Sequence, residues 1–163
     1  MTCCGFGHRV LLMDVEKPLR EVLERLVEEQ GVTEFFTGGI GEFDALFSKT
    51  VRSLKRDHPG LRLILVVPYL TSRLNADKAF LRTQYDEIII PAELDGVHPK
   101  KAIGLRNRWM IDQSDYVVAA LRREDGGAAA AVKYAKEKRK RIVELETPLS
   151  CPENDHKINF NFL

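Results

Sequence analysis

The run Leu61 to Pro68, LRLILVVP, is apolar at every position except Arg62. It is too short for a buried helix and rich in branched side chains. A one-sided strand would alternate apolar with polar residues, so a continuous run reads as a central strand covered on both faces. Such a strand needs helices in front of it and behind it, and the rest of the chain supplies them. Pro18 to Gln30 places Leu19, Val22, Leu23, Leu26 and Val27 at helical spacing and is closed by Gly31. Beyond it, Phe43, Leu46, Phe47, Val51 and Leu54 line one side of a second helix that ends before Pro59-Gly60.

The alternation of apolar runs with amphipathic helices continues along the chain, which is the pattern of parallel strands joined by crossover helices. Strands are expected at Thr2 to Phe6, Thr33 to Thr37, Leu61 to Pro68, Glu87 to Ile90, Tyr116 to Leu121 and Arg141 to Glu144. Further helices are expected near Ala76 to Thr83, Lys100 to Ile111 and Ala128 to Lys138, with Ala92 to Pro99 as an exposed connection. The fold class is therefore α/β with a mostly parallel sheet. In the tail from Cys151, Ile158, Phe160 and Phe162 alternate with Asn159 and Asn161, a half-buried strand pattern. That pattern suits an extra antiparallel edge strand or pairing with a second copy of the chain, which makes a homo-oligomer one of the expected partners. There is no linker or internal repeat, so residues 1–163 are expected to form one domain, with 150–163 as edge strand or interface extension.

Composition excludes several functions. The 25 basic and 24 acidic side chains nearly cancel, which argues against nucleic acid as a partner bound through charge alone. The longest apolar runs fall far short of the roughly 18 to 20 residues a membrane-spanning helix needs, and no signal-like segment opens the chain, so a cytoplasmic protein without a membrane partner is expected. Cys3, Cys4 and Cys151 form neither a disulfide framework nor a metal knuckle, and Cys3 and Cys4 read as buried thiols of the first strand. His8, His58, His98 and His156 lie too far apart to pair on one metal, so no metal and no required cofactor are expected.

In an open α/β sheet, ligands bind beyond the carboxyl ends of the strands. The first strand ends in Gly5-Phe6-Gly7-His8-Arg9, which lacks the third glycine of a dinucleotide fingerprint. Gly7 still lets a ligand approach the backbone, while Arg9 and His8 are candidates for contact with phosphate or ribose. The second strand runs into Thr37-Gly38-Gly39-Ile40-Gly41 at a helix start, a turn geometry that exposes amide donors to an anion. A second strand-to-helix turn, Glu124-Asp125-Gly126-Gly127-Ala128, has the same character. On the helix around Lys101 to Asp112, Arg106 and Asn107 fall within the apolar sector. A guanidinium there needs an internal carboxylate, such as Asp44 or Asp115, or an anionic ligand. The basic run Lys136, Lys138, Arg139, Lys140 and Arg141 reads as a solvated face at the far end of its helix.

Taken together, the segments CCGFGHR, TGGIGEFD, RNRWMIDQSD and GGA, at residues 3–9, 37–44, 106–115 and 126–128, resemble the YpsA-like branch of the SLOG superfamily over roughly residues 1–145. The resemblance implies a Rossmann-like three-layer domain that binds or senses a nucleotide-derived small molecule, such as a nucleotide, NAD or ADP-ribose. It also implies one pocket formed by Gly7, His8, Arg9, Gly38, Gly39, Asp44, Arg106, Asn107, Gly126 and Gly127. Arg106 and Arg9 would meet phosphate, the glycines would supply backbone donors, and Asp44 would orient Arg106 or accept from a ribose hydroxyl. Gly5-Phe6-Gly7 departs from the more usual Phe-Thr-Gly, and Ala128 from a threonine.

Two further functions follow from the wider superfamily. The Lonely Guy phosphoribohydrolases are similar through a PGGxGTxxE pattern that TGGIGEFDA matches only in part, and an N-glycosidic hydrolase of nucleotides would need Glu42 or Asp44 as its acid. The DNA-processing protein A branch implies a single-stranded DNA-binding module, with contacts from the Lys136 to Arg141 run.

Overall fold

The computed structural model describes residues 1–11, 14–122 and 125–145, apart from the side chains of Arg73 and Leu74. The strands are β1 (Thr2–Gly7), β2 (Glu34–Thr37), β3 (Arg62–Val66), β4 (Glu87–Ile89), β5 (Tyr116–Ala120) and β6 (Arg141–Glu144). The helices are α1 (Glu16–Glu28), α2 (Glu42–Leu54), α3 (Ser72–Ala76), α4 (Lys78–Gln84), α5 (Pro99–Asp112) and α6 (Gly126–Glu137). The six strands form one sheet in the order β4-β3-β2-β1-β5-β6, and every described pairing is parallel. The expected extra edge strand falls in the tail and lies outside the described residues.

Alternation along each strand sorts side chains into two cores. Cys3, Phe35, Leu63, Tyr116 and Val118 meet Leu19, Leu23 and Leu26 of α1 and Phe43, Phe47, Val51 and Leu54 of α2 on one face. Cys4, Phe36, Ile64 and Val117 meet Met110 and Ile111 of α5 and Ala131 and Ala135 of α6 on the other. These are the three layers of a Rossmann-like domain, and β3 is apolar throughout because both of its faces are covered. The Cys3 and Cys4 thiols are fully buried, and burial pushes the Cys4 thiol up to about 12, so both pack as inert core groups.

Several boundaries differ from the periodicity for local reasons. The helix expected near Ala76 to Thr83 is two short helices, α3 and α4. The connection before α5 contains a 3-10 turn, Ala92–Leu94, anchored by buried Leu94. α5 begins at Pro99, where a missing N–H costs nothing, and the His98 Nδ1 accepts from the Lys100 N–H at 3.3 Å. α1 ends early, and Gly31 at φ +67° turns the chain so that Val32 N–H donates back to the Leu26 carbonyl. No helix among the described residues is long and apolar enough to cross a membrane.

The chain first winds outward from β1 through β2 and β3 to β4, then returns to the other side of β1 as β5 and β6. The loops after β1 and β5 therefore diverge, which opens a crevice at the carboxyl end of the sheet.

Candidate functional site

A cavity of about 260 Å³ occupies that crevice. It is lined by residues of the β1 end, the β2–α2 turn, α5 and the start of α6. Nine of the ten residues singled out above line it: Gly7, His8, Arg9, Gly38, Asp44, Arg106, Asn107, Gly126 and Gly127. Gly39 does not; it faces a neighbouring cavity. Residues 7, 38, 106 and 126 are remote in sequence and meet because parallel strands all deliver their carboxyl ends to one side.

Arg106 is the centre of the site. α5 carries it toward the sheet, where it is only 3% exposed, and its Nη1 donates to the Val66 carbonyl at 3.0 Å at the end of β3. Its Nε has no hydrogen-bonding partner. Burial works against its charge and the Asp44 carboxylate works for it, leaving its pKa lowered overall. Asp115, the other carboxylate considered for this role, sits at the opposite end of the sheet, where it accepts from Thr2 N–H and Thr2 Oγ1.

The β2–α2 turn differs from the expected anion cradle. Ile40 N–H donates to Asp44 Oδ2 at 2.9 Å, and the Gly38 N–H also acts on that carboxylate. Gly39 N–H donates to Thr37 Oγ1 at 3.3 Å. The assignment of Gly38 and Gly39 as donors to a ligand is thus corrected, because Asp44 and Thr37 already occupy these amides. Gly38 acts through space instead: a Cβ there would run into the Arg106 guanidinium. Gly7 has the same character, since its Cβ would meet the Phe43 ring.

Asp44 reports the electrostatics of the cavity. Burial pushes its carboxyl up to about 6, against the opposing pull of the Ile40 and Gly38 amides and the Arg106 charge. Glu42, the alternative acid, lies outside the cavity lining and accepts from Leu11 N–H at 2.7 Å, which fastens the loop after β1. His8 lines the cavity with its Nε2 engaged, accepting from Arg122 N–H at 3.0 Å. Arg9 is exposed, and its carbonyl accepts from Glu42 N–H.

The start of α6 borders the cavity. Asp125, Gly126, Gly127 and Ala128 all line it, and the Asp125 side chain makes no capping hydrogen bond to this helix end. A helix N-terminus with glycine at its first two positions leaves the amides accessible and carries partial positive charge. Phe6, Ile40 and Ile103 line the cavity as well without having been singled out. Ile103 stands one turn before Arg106 and Asn107, so the helical period alone was enough to place it beside them.

The basic run lies elsewhere. Lys136 pairs with Glu144, Lys138 sits over the Tyr134 ring, Lys140 Nζ donates to the Asp112 and Ser114 carbonyls, and Arg141 donates to the Tyr116 hydroxyl. These residues occupy the end of α6 away from the cavity. Among the described residues no cluster of His, Cys, Asp and Glu has the form of a metal site.

No family model matches the chain. It is 27% identical to the uncharacterized SPbeta prophage-derived protein YoqJ of Bacillus subtilis (strain 168) over 144 positions, covering 77% of this chain and 82% of that one. Among solved structures it is similar to DNA processing protein A from Helicobacter pylori, described for its single-stranded DNA binding mode, with TM-score 0.62, 18% identity and 91% of this chain covered. It is similar also to DNA processing protein A from Streptococcus pneumoniae, with TM-score 0.63, 15% identity and 88% of this chain covered. The chain spans 66% and 49% of the length of those two proteins. These neighbours correct the expectation that nucleic acid is not a partner, because a protein of this fold binds single-stranded DNA. Net charge was the wrong quantity to read, since a ligand meets the local field of one edge of the sheet. The chain is a Rossmann-like α/β domain with the fold found in the DNA processing protein A structures.

Proposed function

We propose that the crevice beside β1 and β5 binds the phosphate of a nucleotide unit, held by Arg106 and by the amides at the start of α6. The observation that carries this reading is the buried Arg106 guanidinium, which lines the cavity with its Nε unpartnered. Such a group is costly to bury, and an anion arriving at the α6 N-terminus would complete both partners. Single-stranded DNA is the first source of that phosphate, supported by the fold neighbour described for binding it. A free nucleotide-derived ligand of the nucleotide, NAD or ADP-ribose type is the second. It is supported by the resemblance to the YpsA-like branch and by a concave site of about 260 Å³, just below the roughly 300 to 1,000 Å³ of small-molecule pockets.

Both arms are tested by titrating a thymidine oligonucleotide, AMP, ADP-ribose and NAD against the wild type and Arg106→Met. Loss of two charge-assisted hydrogen bonds, about 3 kcal/mol, predicts roughly 100-fold weaker binding in the variant. A steep salt dependence for the oligonucleotide with weak mononucleotide binding identifies DNA as the source, and the reverse identifies the free ligand. Unchanged binding of every phosphate probe in a folded variant overturns the proposal. Because the basic run is remote from the cavity, Lys138→Ala leaves binding unaltered in either arm.

A second reading rests on Asp44. A carboxyl raised to about 6 beside the cavity has the protonation behaviour of a general acid, which suits N-glycosidic hydrolysis. Release of free base from AMP, lost in Asp44→Asn, would establish it, and no release under saturating AMP would exclude it.

A further inference from the structure

Next to the phosphate cavity lies a second one of about 500 Å³, and Gly38, Ile40 and Ile103 border both. Its remaining walls differ in chemistry from the first. Leu65, Val67, Pro68, Phe80, Leu81 and Tyr85 make it mostly aromatic and aliphatic, with Thr71 and Asp77 as its polar members, where the first is lined largely by glycines and charged groups. Phe80 is 65% exposed and Tyr69 37% exposed, unusual positions for large rings that have a core available to them.

Resting on the reading of the first cavity as a phosphate site, we propose that the second cavity is a nucleobase subsite for the same nucleotide. In this arrangement Ile40 and Ile103 flank the sugar, and Phe80 and Tyr69 offer faces for the base. Three observations converge on this occupant. The first cavity, at about 260 Å³, holds a phosphate and part of a sugar but not a complete nucleotide. The second adjoins it, with Gly38, Ile40 and Ile103 bordering both, so one ligand lying across that border would meet both. The pairing of an anion site with an exposed aromatic shelf is the chemistry by which bases are stacked while their backbone is held by charge.

The wall also supplies a polar edge. The Tyr85 hydroxyl lies 3.9 Å from where a Cβ on Gly39 would stand, in the lining of the second cavity. Gly39 at φ +66° is kept small where it lines the second cavity, since its Cβ would strike Leu65. The residue that did not join the phosphate site thus acquires a place, in the wall of the base subsite.

The test uses matched probes with and without a base: AMP against ribose 5-phosphate, and a thymidine oligonucleotide against its abasic counterpart of equal length. Phe80 is exposed, so Phe80→Ala removes the shelf without opening the core. The expected result is about 10-fold or greater weakening for the base-bearing probe only, with Phe80→Trp restoring it. Equal weakening of both probes, or no weakening of the base-bearing one, overturns the proposal. A base-free probe that binds the wild type and is lost in Arg106→Met, with Phe80→Ala silent, leaves the phosphate site standing and removes only the base subsite. Failure of all four probes on the wild type overturns both.

Discussion

The two ends of the sheet both carry charged side chains, and they treat them in opposite ways. At the amino end, the opening residues of successive strands satisfy one another. Arg62 of β3 bridges Glu34 of β2 and Glu87 of β4, each at 2.6 Å. Asp115 ties down Thr2, and Tyr116 accepts from Arg141 while donating to Gln30. At the carboxyl end, Arg106 is buried with an unpartnered Nε, burial pushes the Asp44 carboxyl up to about 6, and the first residues of α6 line the cavity. One end matches its polar groups within the fold; the other keeps a buried guanidinium with an unmatched Nε beside a cavity, which marks it for a ligand.

The contrast breaks first at Arg106. If its charge serves a ligand rather than the fold, the double variant Arg106→Met/Asp44→Asn should be at least as stable as the wild type in urea unfolding, because apolar or neutral groups replace a poorly compensated buried pair. The same variant should bind phosphate probes roughly 100-fold more weakly. A loss of several kcal/mol of stability would make Arg106 a structural residue and erase the difference between the two ends.

Asp44 sharpens the contrast through pH. Its folded pKa, about 6, lies above the unfolded value of 3.8. The protonated carboxyl thus favours the fold: its contribution is complete below pH 3.8 and is lost as pH rises through 6. Asp44→Asn, which mimics the protonated form, should match the wild type near pH 4 and exceed it by about 1 to 3 kcal/mol at pH 8. Phosphate binding to the wild type should strengthen as pH falls through 6, since the proton removes a charge that competes for Arg106. A variant less stable at pH 8 would show that Asp44 supports the fold as an ion.

The smallest effect belongs to the amino end. Asp115→Ala removes two exposed hydrogen bonds to Thr2 and should cost about 1 kcal/mol, a fall of about 2 to 4 °C in Tm, with ligand affinity unaltered. A change in affinity would link the two ends and weaken the division drawn between them.

The layered fold could be read from the sequence because periodicity is a local property. Leu19, Val22, Leu23 and Leu26 face one core whatever that core contains, and the unbroken run Leu63 to Val67 admits only a strand covered twice. Much of the site could be read too, since the glycine-rich turns sit at strand ends and Arg106 is out of place on an apolar arc. The donor assignments failed at Gly38 and Gly39. A turn sequence shows that amides are exposed but not which side chain comes back to take them, and here Asp44 and Thr37 do. His8 and Glu42 show the same limit, each accepting from a backbone amide of another loop, although His8 still lines the cavity.

The sequence by itself determined the element order, the two-faced burial of β3 and the presence of an arginine that the core could not want. Only the tertiary structure decided which carboxylate stands beside that arginine, which amides are taken by side chains and where the aromatic cavity adjoins the anionic one. The physical reason is range: hydrophobic periodicity is set by side chains a few residues apart, whereas partners such as Val66 and Arg106, or Arg122 and His8, are brought together only when the sheet closes.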